Sequence, residues 1–215
     1  MNYLTTYYWQ HSKTQDSGLL LQQLKGKRNE QSVLLAVVCQ VQDCPSATEY
    51  VLTKLLDWFR RTGLKACKKR GENGYERLQS ALKNIVTDVI DDVSKIGAKE
   101  KLNMTGLLCV EEKLWCFGWG KSHCYLLQTR FNRSCIRRLD EIQKGWMRCG
   151  DVQEGIGVVI GTAPFFATLR REELEQCLAV RELYTEKQME KRLQELGTVA
   201  AERSGACGVA IMIKC

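Results

Sequence analysis

Cysteine and histidine are the residues of this chain that could carry metal or redox chemistry. The 215 residues include 11 cysteines but only 2 histidines, His11 and His123. The number of cysteines is odd, and no two have the C-x-x-C spacing of zinc ribbons and thioredoxin-like sites. Most cysteines lie in apolar runs, where a thiol packs as a small hydrophobic group. We therefore expect reduced core cysteines, and we exclude a secreted disulfide framework and a histidine-rich metal site.

Three short patterns resemble catalytic or nucleotide-binding motifs, and each fails on its spacing. Cys39 lacks the C-x5-R loop that lowers the pKa of a nucleophilic thiol, because Pro45 stands where the arginine would be. Ser122 and His123 are neighbours on a predicted strand, so their side chains point to opposite faces and form no catalytic pair. The glycines in residues 155–161 lie within a predicted strand rather than at a strand-to-helix turn, which argues against a nucleotide fingerprint.

The elements that position these residues begin with strands. Asn2 to Gln10 and Gly18 to Leu24 are short and β-rich, and Ser32 to Cys39 is a continuous apolar run typical of a strand buried on both faces. Pro45 then marks the start of an amphipathic helix that ends near Gly63. A second amphipathic helix is predicted from about Gly74 to Ile96.

The second half of the chain returns to strands. The residues from Asn103 to Arg138 have the period of strands and predict a meander of antiparallel hairpins. Leu139 to Gly150 reads as a connection without regular structure. The remaining predicted elements are a strand at Gly155 to Gly161, helices at Arg170 to about Leu183 and Thr185 to about Arg203, and a strand at Cys207 to Lys214.

This order of elements predicts the fold class. It lacks the strict βαβα alternation of a doubly wound fold. It is typical of an α+β protein in which two mainly antiparallel sheets pack face to face with helix pairs outside, a four-layer α-β-β-α sandwich. A length of 215 residues makes one domain over residues 1–215 the default expectation.

Charge and hydropathy exclude some partners. The formal net charge of +7 permits an acidic partner, nucleic acid or anionic lipid and identifies none of them. The basic clusters lack interleaved aromatic residues, so we expect solvated faces and no nucleic-acid partner. No run approaches the roughly 18 apolar residues of a membrane span, and the first residues lack a signal-peptide pattern. We therefore expect a cytoplasmic protein with no membrane partner.

Five short segments, taken in order, resemble the motifs of one family. His11 to Ser17 is similar to R-x-x-N-E-D-S, and Leu34 to Asp43 to L-F-A-V-A-D-G-M-G-G. Leu114 to Leu127 is similar to L-Y-V-A-N-V-G-D-S-R-A-Y-L-L, Val158 to Phe165 to L-L-L-C-S-D-G, and Gly205 to Ile213 to D-N-x-T-x-V-V-V. With their connecting helices, these segments resemble the metal-dependent serine/threonine protein phosphatases of type 2C, the PPM family, over essentially the whole chain.

The resemblance implies a site in which carboxylates hold two Mg²⁺ or Mn²⁺ ions and the ions activate a bridging water. Most of the family's site positions carry other residues here. His11 stands where the resemblance places a phosphate-contacting arginine, Gln15 a glutamate, Cys39 the metal-bridging aspartate, Gln40 a glycine, and Lys121, Thr162 and Ala206 three further aspartates. Among the carboxylate positions, Asp16 is the one retained metal-ligand candidate.

These replacements predict a pseudophosphatase with no catalytic residue, no metal site and no cofactor. The loss of one buried charged ligand commonly costs a few kcal/mol of metal-binding free energy, and four such ligands are replaced here. The eight positions His11, Gln15, Asp16, Cys39, Gln40, Lys121, Thr162 and Ala206 would form a vestigial pocket. The predicted function is a protein-interaction or regulatory module in phospho-signalling, with a kinase or a phosphoprotein as partner, or competition with an active phosphatase.

The sequence leaves alternatives open. A divergent Mg²⁺- or Mn²⁺-dependent serine/threonine phosphatase would use acids outside the motif cores, such as Asp43, Asp151 or Glu154. Cys39 and Cys207 would bind a soft ion or form a redox pair if both reach the pocket, although cysteines that fill the space of a lost metal explain them as well.

Overall fold

The structure is a computed structural model that describes residues 3–9, 16–24, 32–63, 65, 72–131, 133–139, 145–205 and 208–215. Within these ranges, ten strands form two five-stranded sheets in which all neighbouring strands are antiparallel. Sheet A has the order β1 (Leu4–Trp9), β10 (Val209–Lys214), β9 (Gly157–Gly161), β6 (His123–Arg130) and β7 (Arg133–Arg138). Sheet B has the order β2 (Ser17–Leu24), β3 (Val33–Val41), β4 (Leu102–Val110), β5 (Lys113–Trp119) and β8 (Gly145–Asp151).

The two sheets pack face to face through alternate side chains of their strands. On β3, Leu34, Ala36 and Val38 belong to the cluster between the sheets, which includes Ile160 and Ile211 of sheet A. The side chains between them in sequence point to the helices on the other face of sheet B. Strand β3 is therefore buried on both faces, as its continuous apolar sequence predicts.

Helices cover the outer face of each sheet. Helix α1 (Pro45–Trp58), which continues as a π-helical turn at Phe59–Gly63, and helix α2 (Glu72–Lys95) cover sheet B. The short helices α3 (Ala163–Phe166) and α4 (Arg171–Cys177) and the longer α5 (Glu186–Ser204) cover sheet A. The predicted four-layer α-β-β-α sandwich is thus confirmed.

Helix α5 lies close against sheet A because one of its residues has no side chain. A Cβ atom at Gly197 would come within 2.3 Å of the Tyr8 ring on β1. The N terminus of α5 is closed by a capping box in which Thr185 and Gln188 exchange hydrogen bonds. The helix ends at Gly205, whose φ of 63° is the left-handed value that favours glycine.

Two predicted elements differ from the structure. Residues 145–151 form strand β8 at the edge of sheet B, where we expected an irregular connection. Most of its described side chains are exposed, so the segment lacks the apolar alternation that indicates a strand. The helix predicted to reach Leu183 ends at Cys177, and a 3₁₀ turn follows at Val180–Glu182. Val180 and Leu183 in and after this turn are buried in the core. Their apolar spacing therefore resembles that of a helix, although no α-helix forms there.

Cysteines in the described ranges are free thiols, and five of them are buried: Cys39, Cys109, Cys116, Cys124 and Cys215. Helices in the same ranges include none long and apolar enough to span a membrane.

Candidate functional site

The strand registers bring four of the predicted motifs to one end of the sandwich. In sheet B, Ser17 pairs with Gln40 and Gln40 pairs with Asn103, so the start of β2, the end of β3 and the start of β4 meet. The turn after β5 crosses to sheet A, where His123 pairs with Gly161 at the end of β9. We call this end, defined by Asp16, Gln40, Asp43, Lys121 and Thr162, the Asp16 end.

The Asp16 carboxylate is hydrogen-bonded within the fold. Its Oδ1 accepts from Gln40 Nε2 at 3.0 Å and from Ser17 Oγ at 3.4 Å, and its Oδ2 accepts from the Asp43 backbone N–H at 3.3 Å. These donors connect the start of β2 to the end of β3 and to the loop that enters α1. Asp16 therefore acts as a structural tie between three segments.

Thr48 strengthens the same connection from the first turns of helix α1. Its Oγ1 donates to the Asp16 carbonyl oxygen at 2.6 Å and accepts from the Val41 backbone N–H at 2.8 Å. Thr48 is 4% exposed, so both bonds are shielded from water. A buried hydroxyl with two backbone partners costs stability when it is removed.

Cys39 and Gln40 face opposite sides of sheet B. The Gln40 side chain contacts Asp16, whereas Cys39 belongs to the apolar cluster between sheet B and its helices. Burial raises the pKa of the Cys39 thiol far above its ordinary value. A protonated thiol does not suit a nucleophile, and the position of Cys39 on the helix side of sheet B separates it from Asp16. Cys207, with which a redox or soft-metal pair was considered, lies outside the described residues.

Lys121 belongs to a turn that is tied to strand β4. Its backbone N–H donates to Asn103 Oδ1 at 2.6 Å, and the Ser122 hydroxyl donates to the Met104 carbonyl oxygen at 2.7 Å. Gly120 precedes it with a φ of 73°, and a Cβ atom there would lie 2.3 Å from the Leu102 carbonyl oxygen. The turn therefore holds the exposed Lys121 side chain, a positive charge, at this end.

Thr162, directly after β9, connects this strand to β10. It is 1% exposed, and its Oγ1 accepts from the Val209 backbone N–H at 3.1 Å. The Thr162 backbone N–H donates in turn to the Val209 carbonyl oxygen at 2.9 Å. The hydroxyl is thus used by the backbone at the position where the resemblance places an aspartate.

The three acids considered as alternative ligands do not gather around Asp16. Asp43 lies at the Asp16 end, and its carboxylate is 3.6 Å from Lys101 Nζ. Asp151 forms an ion pair with Lys113 at the opposite end of β5, and Glu154 follows in the next turn. One of the three acids is therefore placed near Asp16.

The described residues at the Asp16 end do not fit a pair of divalent metal ions. Hard ions such as Mg²⁺ and Mn²⁺ need several oxygen ligands, most of them anionic when two ions lie close together. In the part of the chain that the structure describes, no three His, Cys, Asp or Glu side chains group as a metal site. His11, Gln15 and Ala206 of the predicted pocket lie outside the described residues.

Sequence reasoning missed the two residues that complete these ties, Thr48 and Asn103. Both occupy ordinary positions, one in the first turns of a helix and the other at the start of a strand. Their roles depend on the register between β2, β3 and β4. Only the three-dimensional pairing shows them.

No protein-family model and no curated protein matches this sequence. Solved structures do match, over the full length of the fold. The serine/threonine phosphatase Stp1 from Staphylococcus aureus superposes with a TM-score of 0.68 at 11% identity, over 100% of this chain and 96% of that chain. PppA, a key regulatory component of the T6SS in Pseudomonas aeruginosa, gives a TM-score of 0.61 at 15% identity, over 99% of each chain.

A third similar structure was solved with bound metal. The catalytic domain of the serine/threonine protein phosphatase PstP, in complex with 2 manganese ions, gives a TM-score of 0.59 at 13% identity over 99% of each chain. Identities this low establish a likeness of fold. The chain has the fold of the PPM-type, or type 2C, serine/threonine phosphatases.

Proposed function

We propose that this chain is a catalytically inactive phosphatase-like domain, a pseudophosphatase, that acts as a protein-interaction or regulatory module in phospho-signalling. One observation carries the proposal. The side chains at the Asp16 end hydrogen-bond within the fold instead of presenting a set of anionic oxygens. The Asp16 carboxylate accepts hydrogen bonds from Gln40, Ser17 and the Asp43 N–H, and the Thr162 hydroxyl accepts one from the Val209 N–H.

The electrostatics of this end support the same conclusion. Holding two divalent ions close together requires several negative ligands, because the ions repel each other. Cys39 offers a neutral thiol on the other face of its strand, and Lys121 adds a positive charge. Asp16 and Asp43 are the acids that define this end, and two carboxylates beside Lys121 are too few to hold two divalent ions.

The retained fold supports the proposed role as a binding module. The chain superposes on a bacterial serine phosphatase over 100% of its own length and 98% of that chain, so a stable folded surface is compatible with loss of the site. The proposed partner is a kinase or a phosphoprotein. Competition with an active phosphatase for such a protein is another way in which the domain would act in phospho-signalling. The proposed location is the cytoplasm.

The other candidate function is a divergent Mg²⁺- or Mn²⁺-dependent hydrolase of phosphoserine and phosphothreonine. Its one structural support is the position of Asp43, whose backbone N–H lies 3.3 Å from Asp16 Oδ2. Two carboxylates in adjoining loops can bind one weak ion. They fall short of the ligands that a dinuclear hydrolase needs.

Calorimetric titration with MnCl₂ and a hydrolysis assay together test the proposal. The assay uses p-nitrophenyl phosphate and a phosphothreonine peptide, with and without Mn²⁺, and an active bacterial phosphatase of the same fold as positive control. We expect no micromolar Mn²⁺ binding and no metal-dependent hydrolysis. Hydrolysis that needs Mn²⁺ and disappears in the variant Asp16→Asn would establish the enzyme instead.

The partner is tested separately by quantitative affinity capture from native lysate. Capture is compared before and after treatment of the lysate with a broad-specificity phosphatase. We expect a kinase, or a protein whose capture depends on phosphorylation. Capture of neither class would refute the assignment to phospho-signalling while leaving the catalytic result unaffected.

A further inference from the structure

A pocket of about 500 Å³ opens at the end of the sandwich opposite Asp16. It lies where β6, β9 and β10 have their other ends. Lys214 pairs with Gly157, and Gly157 pairs with Leu127, so Leu127 of β6 and the last residue of β10 flank the first residue of β9. The 3₁₀ turn Val180–Glu182 closes one side. Strand pairing thus builds this pocket independently of the Asp16 end.

Positive side chains outnumber negative ones in the wall of this pocket. Arg130, Arg181 and Lys214 line it, and Glu154 is the acid among its lining residues. Arg181 Nε also lies 3.5 Å from Glu182 Oε1, so this acid beside the pocket forms an ion pair with the Arg181 guanidinium. The balance of charge still favours an anionic ligand.

Lys214 is held in place in the wall of the pocket. Its Nζ donates to the Leu183 carbonyl oxygen at 2.6 Å and lies 5.3 Å from the centre of the Tyr184 ring. Partial burial lowers the pKa of Lys214, which means that its ammonium group has lost favourable solvation. A ligand carboxylate or phosphate beside Nζ would restore favourable interactions for this charge.

A second, smaller cavity of about 200 Å³ adjoins the first and shares Gln128 and Ile156 with it. It lies in the seam between sheet A and sheet B, where β7 and β8 are the edge strands. Its apolar lining includes Leu114, Cys116 and Leu126, and its cations are Arg137 and Arg148. We call the two adjoining cavities the far groove.

We propose that the far groove binds an acidic segment of a protein partner. A carboxylate or phosphate of the segment would lie beside Arg130, Arg181 and Lys214, and an apolar side chain next to it would enter the seam between the sheets. Charge complementarity supports this occupant, since the groove is lined by five cations and by two acids, Glu154 and Asp151. Asp151 is already paired with Lys113.

The shape of the groove favours a peptide over a small free anion. Sites for small molecules typically bury about 70–90% of the ligand surface in an enclosed pocket. The far groove is open to solvent and offers two adjoining subsites of different chemistry. An extended chain occupies both subsites at once, because neighbouring side chains can supply the anion and the apolar group.

Fluorescence anisotropy with the full chain tests this inference. The probe is a fluorescein-labelled peptide, Glu-Glu-Glu-Leu-Glu-Glu, and the comparison peptides replace all glutamates by lysine or the leucine by serine. We expect binding of the acidic probe that weakens at least tenfold when salt rises from 50 to 300 mM. We also expect at least threefold weaker binding of the serine peptide and no binding of the lysine peptide.

Matched charge-reversal variants assign the binding to the groove. Arg130→Glu combined with Arg181→Glu should weaken binding of the probe at least tenfold. The control, Arg60→Glu with Arg61→Glu, makes the same change of net charge at exposed positions beside helix α1 and should leave binding within twofold. If the groove variant fails to fold by circular dichroism, the single change Arg130→Gln should still weaken binding about threefold.

Three results would overturn the inference: no binding of the acidic probe, equal loss in both double variants, or binding that inorganic phosphate at 1 mM displaces and that the serine peptide retains. The last result would identify a small-anion site instead of a peptide groove. None of these results depends on Mn²⁺ or on hydrolysis. Failure of the far groove and failure of the pseudophosphatase proposal are therefore distinguishable.

Discussion

The two ends of the sandwich use their polar residues in opposite ways. At the Asp16 end, Asp16, Thr48 and Thr162 bond to backbone groups or to neighbours in the fold. In the far groove, exposed arginines such as Arg130 and Arg137 line a cavity. The difference separates side chains that the fold itself uses from side chains that line an open cavity. A binding site has to be argued from such side chains rather than from the fold alone.

The largest expected effect comes from restoring the aspartate that the resemblance places at Cys39. The side chain is 0% exposed and lies in the apolar cluster on the helix side of sheet B. A carboxyl group there must either ionise without a partner or remain protonated with a raised pKa, and both states cost free energy. We expect Cys39→Asp to lower the free energy of unfolding by about 3–5 kcal/mol, measured by urea denaturation.

The same variant also tests whether the Asp16 end can hold a metal ion. Cys39→Ala removes the thiol without adding a charge and is the matched control. Urea midpoints should not change when MnCl₂ is added to either variant. If Mn²⁺ stabilises Cys39→Asp but not Cys39→Ala, the new carboxylate reaches a metal site, and our description of the Asp16 end is wrong.

Thr48 should have the next largest effect. Replacing it by valine keeps the side-chain shape and removes the hydroxyl that joins the Asp16 carbonyl oxygen and the Val41 N–H. We expect a loss of about 1–3 kcal/mol in the free energy of unfolding, because a buried hydrogen-bonding group loses its partner.

Thr198→Val is the control for this change. Thr198 lies on the exposed face of helix α5, where its hydroxyl donates to the Gln194 carbonyl oxygen at 3.0 Å. Its replacement should cost less than about 0.5 kcal/mol. Equal losses for the two variants would show that the Thr48 bonds add nothing specific to the Asp16 end.

The sequence predicts the fold well where periodicity is long and burial is high. Strand β3 is a continuous apolar run, and the stripe of apolar residues along α2 has helical spacing, so both were predicted. Strand β8 was missed because an exposed edge strand has no apolar face to show. Such a strand depends on pairing with β5, which lies more than twenty residues earlier in the chain.

The sites were harder to predict than the fold. Cys39 and Gln40 are neighbours on a strand, so only one of them can face Asp16, and the structure shows that it is Gln40. The far groove gathers Arg130, Arg181 and Lys214 from two strands and a turn that are distant in sequence. The local sequence pattern cannot reveal such a cluster of side chains, because the cluster depends on the register of three strands.

A smaller effect is expected at Glu173, which joins helix α4 to the end of helix α5. Its carboxylate accepts from Arg203 at 2.7 Å and from the Arg170 backbone N–H at 2.8 Å. These donors, Arg203 first, lower the pKa of Glu173 to about 2, compared with about 4.3 in an unfolded chain. The folded state therefore favours the ionised form of this residue.

The stability from Glu173 should thus be fully present above about pH 4.3 and should be lost as the pH falls toward 2. Thermal unfolding of the wild type and of Glu173→Gln, followed at pH 7 and at pH 2.5, measures this. The difference in Tm should be larger at pH 7 and should shrink at pH 2.5. A difference independent of pH would show that the carboxylate charge contributes nothing.

The smallest expected effect is the one on stability in the far groove. Arg130 and Arg181 are exposed, and neither is part of an apolar cluster, so replacing each by glutamine should change the free energy of unfolding by less than about 0.5 kcal/mol. A binding surface can lose its charges without loss of stability, whereas a structural tie cannot. Urea denaturation of the two glutamine variants beside Thr48→Val compares these cases directly. If the arginine variants cost as much as Thr48→Val, the far arginines are structural, and the contrast between the two ends disappears.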